Sequence, residues 1–246
     1  MLAEKPVAKD VATARALLAW YREHIPSSTP SFGIAENFRF FSTFAYAARQ
    51  IPSLGRLLGF RVRMQALVQP GGKYFETAWR KKPEYQGGFL LDGGVHFVAG
   101  TRMVLEGAGV RPVRTSAFSV QLQEHLPPVD TVDATVKLSN GATGTVCMSF
   151  GTTFTGFAEY AFACEKGTLV VSRGKVIITR EGKEEVKEFP DEGNGVTQEI
   201  AVWGEGLAAG KLDPRQSPEE ALKDLQVLEG MLTSGDNDGA PVELSL

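Results

Sequence analysis

Cysteine is scarce in this chain, with two in 246 residues. Cys147 and Cys164 both lie in apolar, strand-like runs, so they read as buried thiols of a reducing compartment, with one disulfide as the alternative. Net charge is nearly absent too: 26 Lys and Arg face 29 Asp and Glu, a formal −3. That balance argues against a general polyanion binder, and no nucleic-acid partner is expected. Local basic clusters at Arg56, Arg61, Arg63 and Arg80-Lys81-Lys82 still leave room for an acidic small-molecule substrate. No apolar run reaches the roughly 20 residues that span a bilayer. Glu4 and Lys5 interrupt the place where a signal peptide needs a continuous apolar core, so the expected location is the cytoplasm and no membrane partner is expected. Repeats and low-complexity segments are missing. Gly107-Ala108-Gly109 and Gly193-Asn194-Gly195 are the only candidates for a glycine-rich phosphate loop. Neither sits in a strand-to-helix turn of a βαβ unit followed by an acid for the ribose. Asp92 and His96 supply two ligands without an obvious third, so no metal site is expected.

What is present centres on Trp79 to Leu105, WRKKPEYQGGFLLDGGVHFVAGTRMVL. Leu90, Leu91, Val95, Phe97, Val98, Met103 and Val104 give it the spacing of a mostly buried helix. That helix carries one acid, Asp92, and one imidazole, His96. Four residues apart, the two share a helical face and can touch. A carboxylate beside a histidine orients the ring and favours its charged form, which suits proton transfer near neutral pH. The same spacing fits a helix start with Asp92 favoured by the dipole and His96 a hydrogen-bonded core residue. Just upstream, Tyr74, Trp79 and Arg80 form either a wall that stacks on a substrate and offers it a cation, or a snorkelling surface loop with an aromatic anchor.

Composition is otherwise that of an ordinary globular chain, 43% hydrophobic and 22% charged, long enough for one large domain or one domain plus a fragment. Asp10 to Tyr21 is amphipathic, with Asp10 as its cap. Ser27 to Pro30 is a turn-rich loop and Ser31 to Asn37 a short strand. Phe38 to Leu58 reads as a helical stretch whose Phe40, Phe41, Phe44 and Tyr46 side belongs to the core, closed by Arg49 and Gln50 before Pro52. Gly59 to Val68 alternates as a half-buried strand with Arg61 and Arg63 outward. After Gly109 the period becomes two. Strands are expected at Val113 to Leu122, Thr131 to Leu138, Thr143 to Phe150, Ala158 to Ala163, Thr168 to Val171 and Lys175 to Thr179. Asn140-Gly141 marks a hairpin. His125 reads as a solvated loop residue, Thr152 to Phe157 as a turn able to line a pocket, and Lys183 to Glu188 as a solvated charged edge. Gly195 to Ala209 and Ser217 to Thr233 read as helices, the second with cap, proline and first-turn acids in place. The expected fold class is α+β, a large, mostly antiparallel, open-faced sheet with helices packed on one face.

Two motifs add a resemblance. The run Gly87-Gly88-Phe89-Leu90-Leu91-Asp92-Gly93-Gly94-Val95-His96, with Glu4-Lys5-Pro6 far upstream, resembles the two signatures of the glucose–fructose oxidoreductase/inositol dehydrogenase/MocA family. The resemblance extends over essentially the whole chain. It implies NAD(P) as cofactor and hydride transfer at a hydroxyl or carbonyl of a small-molecule substrate. It implies Asp92 and His96 at the border of the substrate pocket. Lys5 would donate to the reacting oxygen or shuttle its proton, and Glu4, Lys5 and Pro6 would border the cofactor. Family members carry a dinucleotide-binding Rossmann half ahead of Glu-Lys-Pro, whereas here that signature follows Met1, Leu2 and Ala3. The expected division is therefore 1–37 as a short remnant of a Rossmann-type α/β domain (a helix plus a strand), and 38–246 as the domain for substrate binding and oligomerisation.

Three functions stay open at this level. The chain is the substrate domain of an oxidoreductase, redox-active when a nucleotide half is supplied, since hydride chemistry belongs to the cofactor. Or it is a cofactor-independent isomerase, lyase or cyclase that uses an Asp92–His96 acid–base pair. Or it is a non-catalytic binding module, the open sheet face serving a homodimer or higher assembly. The resemblance favours the first.

Overall fold

The computed structural model describes residues 1–25, 32–83, 88–153 and 158–246. The Ser27 to Pro30 loop and most of the Thr152 to Phe157 turn lie outside them. The chain opens on a parallel unit, strand β1 (Leu2–Glu4), helix α1 (Val11–His24) and strand β2 (Gly33–Ala35), with Leu2 paired to Gly33 and Glu4 to Ala35. Parallel strands need a crossover, and α1 provides it. The Asp10 carboxylate accepts the Thr13 N–H at 2.6 Å and so caps α1, while Arg22 and His24 sit at its negative end.

The expected helical stretch from Phe38 to Leu58 closes at Gln50 before Pro52 as expected, but it is divided into three short pieces. They are a 3-10 turn (Asn37–Phe40), helix α2 (Ser42–Gln50) and a second 3-10 turn (Ile51–Leu54), followed by strand β3 (Leu57–Gln65). Phe41 is extended (φ −68, ψ 130), which breaks the first junction, and Pro52 has no N–H with which to continue α2. Phe40 and Phe44 do enter the core, with Phe38 and Phe41 packed against it. A short helix α3 (Ala78–Lys81) then leads toward the long helix α4 (Gly88–Gly107).

The remaining strands are β4 (Pro112–Val120), β5 (Thr131–Leu138), β6 (Thr143–Ser149), β7 (Ala158–Cys164), β8 (Gly167–Ser172), β9 (Lys175–Arg180) and β10 (Lys183–Glu188). Helix α5 (Val196–Ala208), a 3-10 turn (Pro214–Gln216), helix α6 (Pro218–Asp236) and strand β11 (Val242–Glu243) complete the chain. Nine strands form one sheet in the order β10-β9-β8-β7-β3-β6-β5-β4-β11. Only β3 and β6 pair in parallel; the other neighbours are antiparallel. The expected open-faced, mostly antiparallel sheet is present. The charged segment at Lys183 forms its edge strand, exposed at every residue, which discourages further strand addition.

One face of the sheet is apolar. Phe60, Val62 and Met64 of β3 and Val132, Ala134, Val136 and Leu138 of β5 are buried there beneath α2, α4 and α6. The alternate residues Arg61, Arg63, Asp133, Thr135 and Lys137 face outward and are exposed, as a period of two requires. Cys147 belongs to this outward set, half-buried between Asp133 and Arg63 on the neighbouring strands, and this corrects the expectation that it is buried. Burial and the nearby Asp133 push its thiol up to about 12, and burial pushes Cys164 up to about 11, so both stay protonated and unreactive. Both are free thiols. None of the helices among the described residues is long and apolar enough to cross a membrane.

Helix α4 lies at the centre, with most of its residues buried. Its glycines permit that depth. A Cβ at Gly100 would stand 2.6 Å from the Phe44 ring, and one at Gly107 would stand 2.4 Å from the Ala48 carbonyl oxygen of α2. Burial at this depth also takes in Arg102, which is bonded to Asp224 at 2.5 Å, to Glu220 at 2.8 Å and to Glu106. Arg39 binds the other oxygen of Asp224, so one carboxylate of α6 joins α4 to the first 3-10 turn. Asp224 is 2% exposed. Replacing it by Asn would leave two buried guanidinium groups short of a charge partner. The expected loss is about 3–5 kcal/mol of unfolding free energy by urea titration. An unchanged midpoint would show that Glu220 and Glu106 suffice.

Candidate active site

Lys5 lies just past β1, where the chain turns toward α1. From there its ammonium reaches the first turns of α4. It donates to the backbone oxygen of Asp92 at 2.6 Å and to Oδ1 at 2.7 Å. Arg80 of α3 approaches from the other side and donates Nε–H to Asp92 Oδ2 at 2.7 Å and Nη1–H to Thr77 Oγ1 at 3.1 Å. Its guanidinium stacks 4.0 Å from the Trp79 ring, and the Tyr74 ring lies 5.5 Å away. Asp92 is 8% exposed. Burial raises its proton affinity, but Lys5 and Arg80 outweigh that and hold the carboxyl below its ordinary value.

The expected Asp92–His96 contact is not made. His96 Nδ1 meets Glu36 Oε1 at 2.6 Å instead, and its ring stacks on Phe38 with centroids 4.9 Å apart and planes 16° from parallel. The reason is competition. Asp92 has two cations within hydrogen-bond reach, and the end of β2 carries a buried carboxylate to the imidazole. Sequence reasoning missed Glu36. Its one trace there was a single acid in the aromatic-rich stretch Ile34 to Phe41, which also holds Asn37 and Arg39.

Of the residues singled out in the sequence, the structure joins Lys5, Asp92, Arg80, Trp79 and Tyr74 in one cluster, with His96 a helical turn away on α4. Glu4, the last residue of β1, is exposed, and Pro6 is half-buried. His125 is corrected from solvated to half-buried. Its Nε2 meets the Val68 carbonyl at 2.8 Å and its ring meets Phe75 edge-on, which pins the loop leading to Tyr74. Among the described residues no group of three or more metal-binding side chains converges.

Residues 49–170 match the model of the GFO/IDH/MocA C-terminal domain. Over 246 aligned residues the chain is 42% identical to Dehydrogenase FPY6 of Fusarium mangiferae, covering 98% of this chain and 70% of that one. The chain belongs to the GFO/IDH/MocA family of oxidoreductases. A solved oxidoreductase of Thermotoga maritima shares this GFO/IDH/MocA architecture with a TM-score of 0.85 at 28% identity, over 98% of this chain and 70% of that one. An inositol dehydrogenase homologue of Azotobacter vinelandii, complexed with NADH and myo-inositol, has the same fold at a TM-score of 0.77 and 16% identity, over 98% and 71% of the two chains.

One more acid borders the site of this GFO/IDH/MocA chain. Glu199 of α5 is 2% exposed, and its Oε1 has no hydrogen-bond partner. Burial first, then the charges of Glu36 and Glu4, push its carboxyl up to about 8. Between the ordinary 4.5 and about 8 the folded protein keeps a proton that the unfolded chain has lost. Stability should therefore fall as pH rises through that window, by up to about 1.4 kcal/mol per pH unit. Glu199→Gln removes the titration, so its urea midpoint should hold across the window and exceed that of the parent above pH 8. Parallel curves for the two proteins would clear Glu199 of the effect.

Proposed function

We propose that this chain is the substrate-handling part of an NAD(P)-dependent oxidoreductase that moves hydride between nicotinamide and a hydroxyl or carbonyl carbon of a small molecule. The observation that carries this reading is the meeting of two motifs 87 residues apart, Lys5 on Asp92 at 2.7 Å. The nicotinamide, when bound, supplies the hydride chemistry. The residues here fit its substrate side and not its diphosphate. The turn from β1 to α1 runs Lys5-Pro6-Val7-Ala8-Lys9-Asp10, without glycine and with a proline that has no N–H to offer a phosphate. We assign the diphosphate to a nucleotide-binding half that adjoins the β1–α1–β2 unit.

The chain's own part is proton handling and placement. An ammonium has three N–H donors; Asp92 takes two of Lys5's, and the third remains for the reacting oxygen. Two cations share the single carboxylate of Asp92, so the cluster favours negative charge growing on that oxygen. His96 takes the hydroxyl proton in oxidation and returns it in reduction. Tyr74, Trp79 and Arg80 wall the substrate. The outward sheet face with Arg61, Arg63, Asp133 and Lys137 is the surface we assign to a second copy, and the free thiols fit a cytoplasmic protein.

Turnover is to be followed by nicotinamide absorbance with NAD(P)+ and a panel of polyols, sugars and hydroxy acids, with a nucleotide-binding half supplied. His96→Ala should cut turnover per folded molecule by roughly two to four orders of magnitude, with a lowered melting temperature because the buried Glu36 carboxylate loses its partner. A destabilised but fully active variant ends the proton-transfer reading. Turnover without any nucleotide would transfer the assignment to a cofactor-independent isomerase, lyase or cyclase.

A further inference from the structure

We infer that Glu36 is the positioning residue of His96: it holds the proton on Nδ1 and turns Nε2, as the proton-accepting atom, toward the substrate. The inference rests on the reading of His96 as the site's proton carrier. Two contacts fix the ring. Phe38 stacks on its face at 4.9 Å, which sets the plane, and Glu36 Oε1 holds Nδ1 at 2.6 Å, which sets the rotation within that plane. A ring flip would have to break the Glu36 contact inside the protein, where Glu36 is 2% exposed.

Glu36 is itself held. Its Oε1 also accepts the Phe38 N–H at 3.2 Å. The groups that face it come from four elements: His96 on α4, Arg39 on its own 3-10 turn, Glu199 on α5 and Tyr160 on β7. Burial raises its proton affinity, but His96 and Arg39 prevail and keep the carboxyl below its ordinary value. An ionised carboxylate can only accept, so the hydrogen of this contact sits on Nδ1. Neutral His96 then has its lone pair on Nε2, and His96 retains 18% side-chain exposure through which to use it. In oxidation the substrate O–H bond breaks and an Nε2–H bond forms, the electron pair staying on oxygen. The imidazolium so made stands beside the Glu36 charge. Reduction runs the same transfer backward. A contact that merely tied the 3-10 turn to α4 would fix the same tautomer but leave turnover per folded molecule unchanged.

Long-range proton–nitrogen NMR on isotope-labelled protein reads the tautomer in this chain without substrate or nucleotide. Neutral His96 should be protonated on Nδ1 and bare on Nε2, the reverse of the form free imidazole side chains favour in water. Glu36→Leu should lose that preference, and Glu36→Gln, whose amide oxygen still accepts from Nδ1–H, should keep it. Wild-type His96 protonated on Nε2 overturns the inference even if neither variant folds, and so does a Glu36→Leu protein that keeps the Nδ1 form. In turnover, Glu36→Leu should lower kcat by at least about tenfold with KM little changed, and Glu36→Gln should restore most of it. A loss confined to the yield of folded protein overturns the positioning role. Full activity in His96→Ala alongside the stated tautomer would instead count against the proton-transfer reading, since the ring's placement is measured independently of turnover.

Discussion

Charge buried on α4 has to be partnered, and much of the architecture around that helix answers to this demand. An unpaired charge in a protein interior costs several kcal/mol, more than most single contacts return. Helix α4 carries two such groups, Asp92 and Arg102, and its His96 meets a third, the buried Glu36. Asp92 is met by Lys5 and Arg80, His96 by Glu36, and Arg102 by Asp224, Glu220 and Glu106. Each partner comes from a different part of the chain, except Glu106 on α4 itself. The electrostatics of one helix thus draws the segment after β1, α3, the end of β2 and α6 toward it.

The same demand separates the two ends of α4. Toward the C-terminal end Arg39, Asp224 and Arg102 are each no more than 4% exposed, and their link acts as structure. Toward the N-terminal end Lys5, Arg80, Asp92 and His96 keep between 11% and 18% of their side-chain surface. Groups that are paired and still reachable can exchange a proton with a ligand; groups sealed on all sides cannot. The glycines of α4 let it lie close enough to α2 and the sheet for this, and they cost helix propensity that tertiary packing must offset.

Sheet strands were legible because their signal is local. A period of two with Asn140-Gly141 and Glu181-Gly182 turns fixes which face is buried, and β5 follows it residue by residue, Val132, Ala134 and Val136 in, Asp133, Thr135 and Lys137 out. The Phe38 to Leu58 segment was less legible. Its close before Pro52 was visible, but its aromatic content hid the break at the extended Phe41. Cys147 sits in an apolar run whose alternation still turns it outward, so composition misled where register decided.

For the site, the chain's own pattern determined the helix that carries Asp92 and His96, their spacing, the family signatures and the aromatic and basic residues just upstream. All of these are short-range features, readable within a few turns of backbone. Tertiary structure decided the pairing. Asp92 and His96 share a helix face, yet side chains from 87 and 60 residues away reach them at 2.7 Å and 2.6 Å. Opposite charge and exclusion from water select the partner that packing delivers, and packing is a property of the whole fold. That is why Glu36, an acid that no local pattern pairs with His96, becomes the residue that orients the histidine.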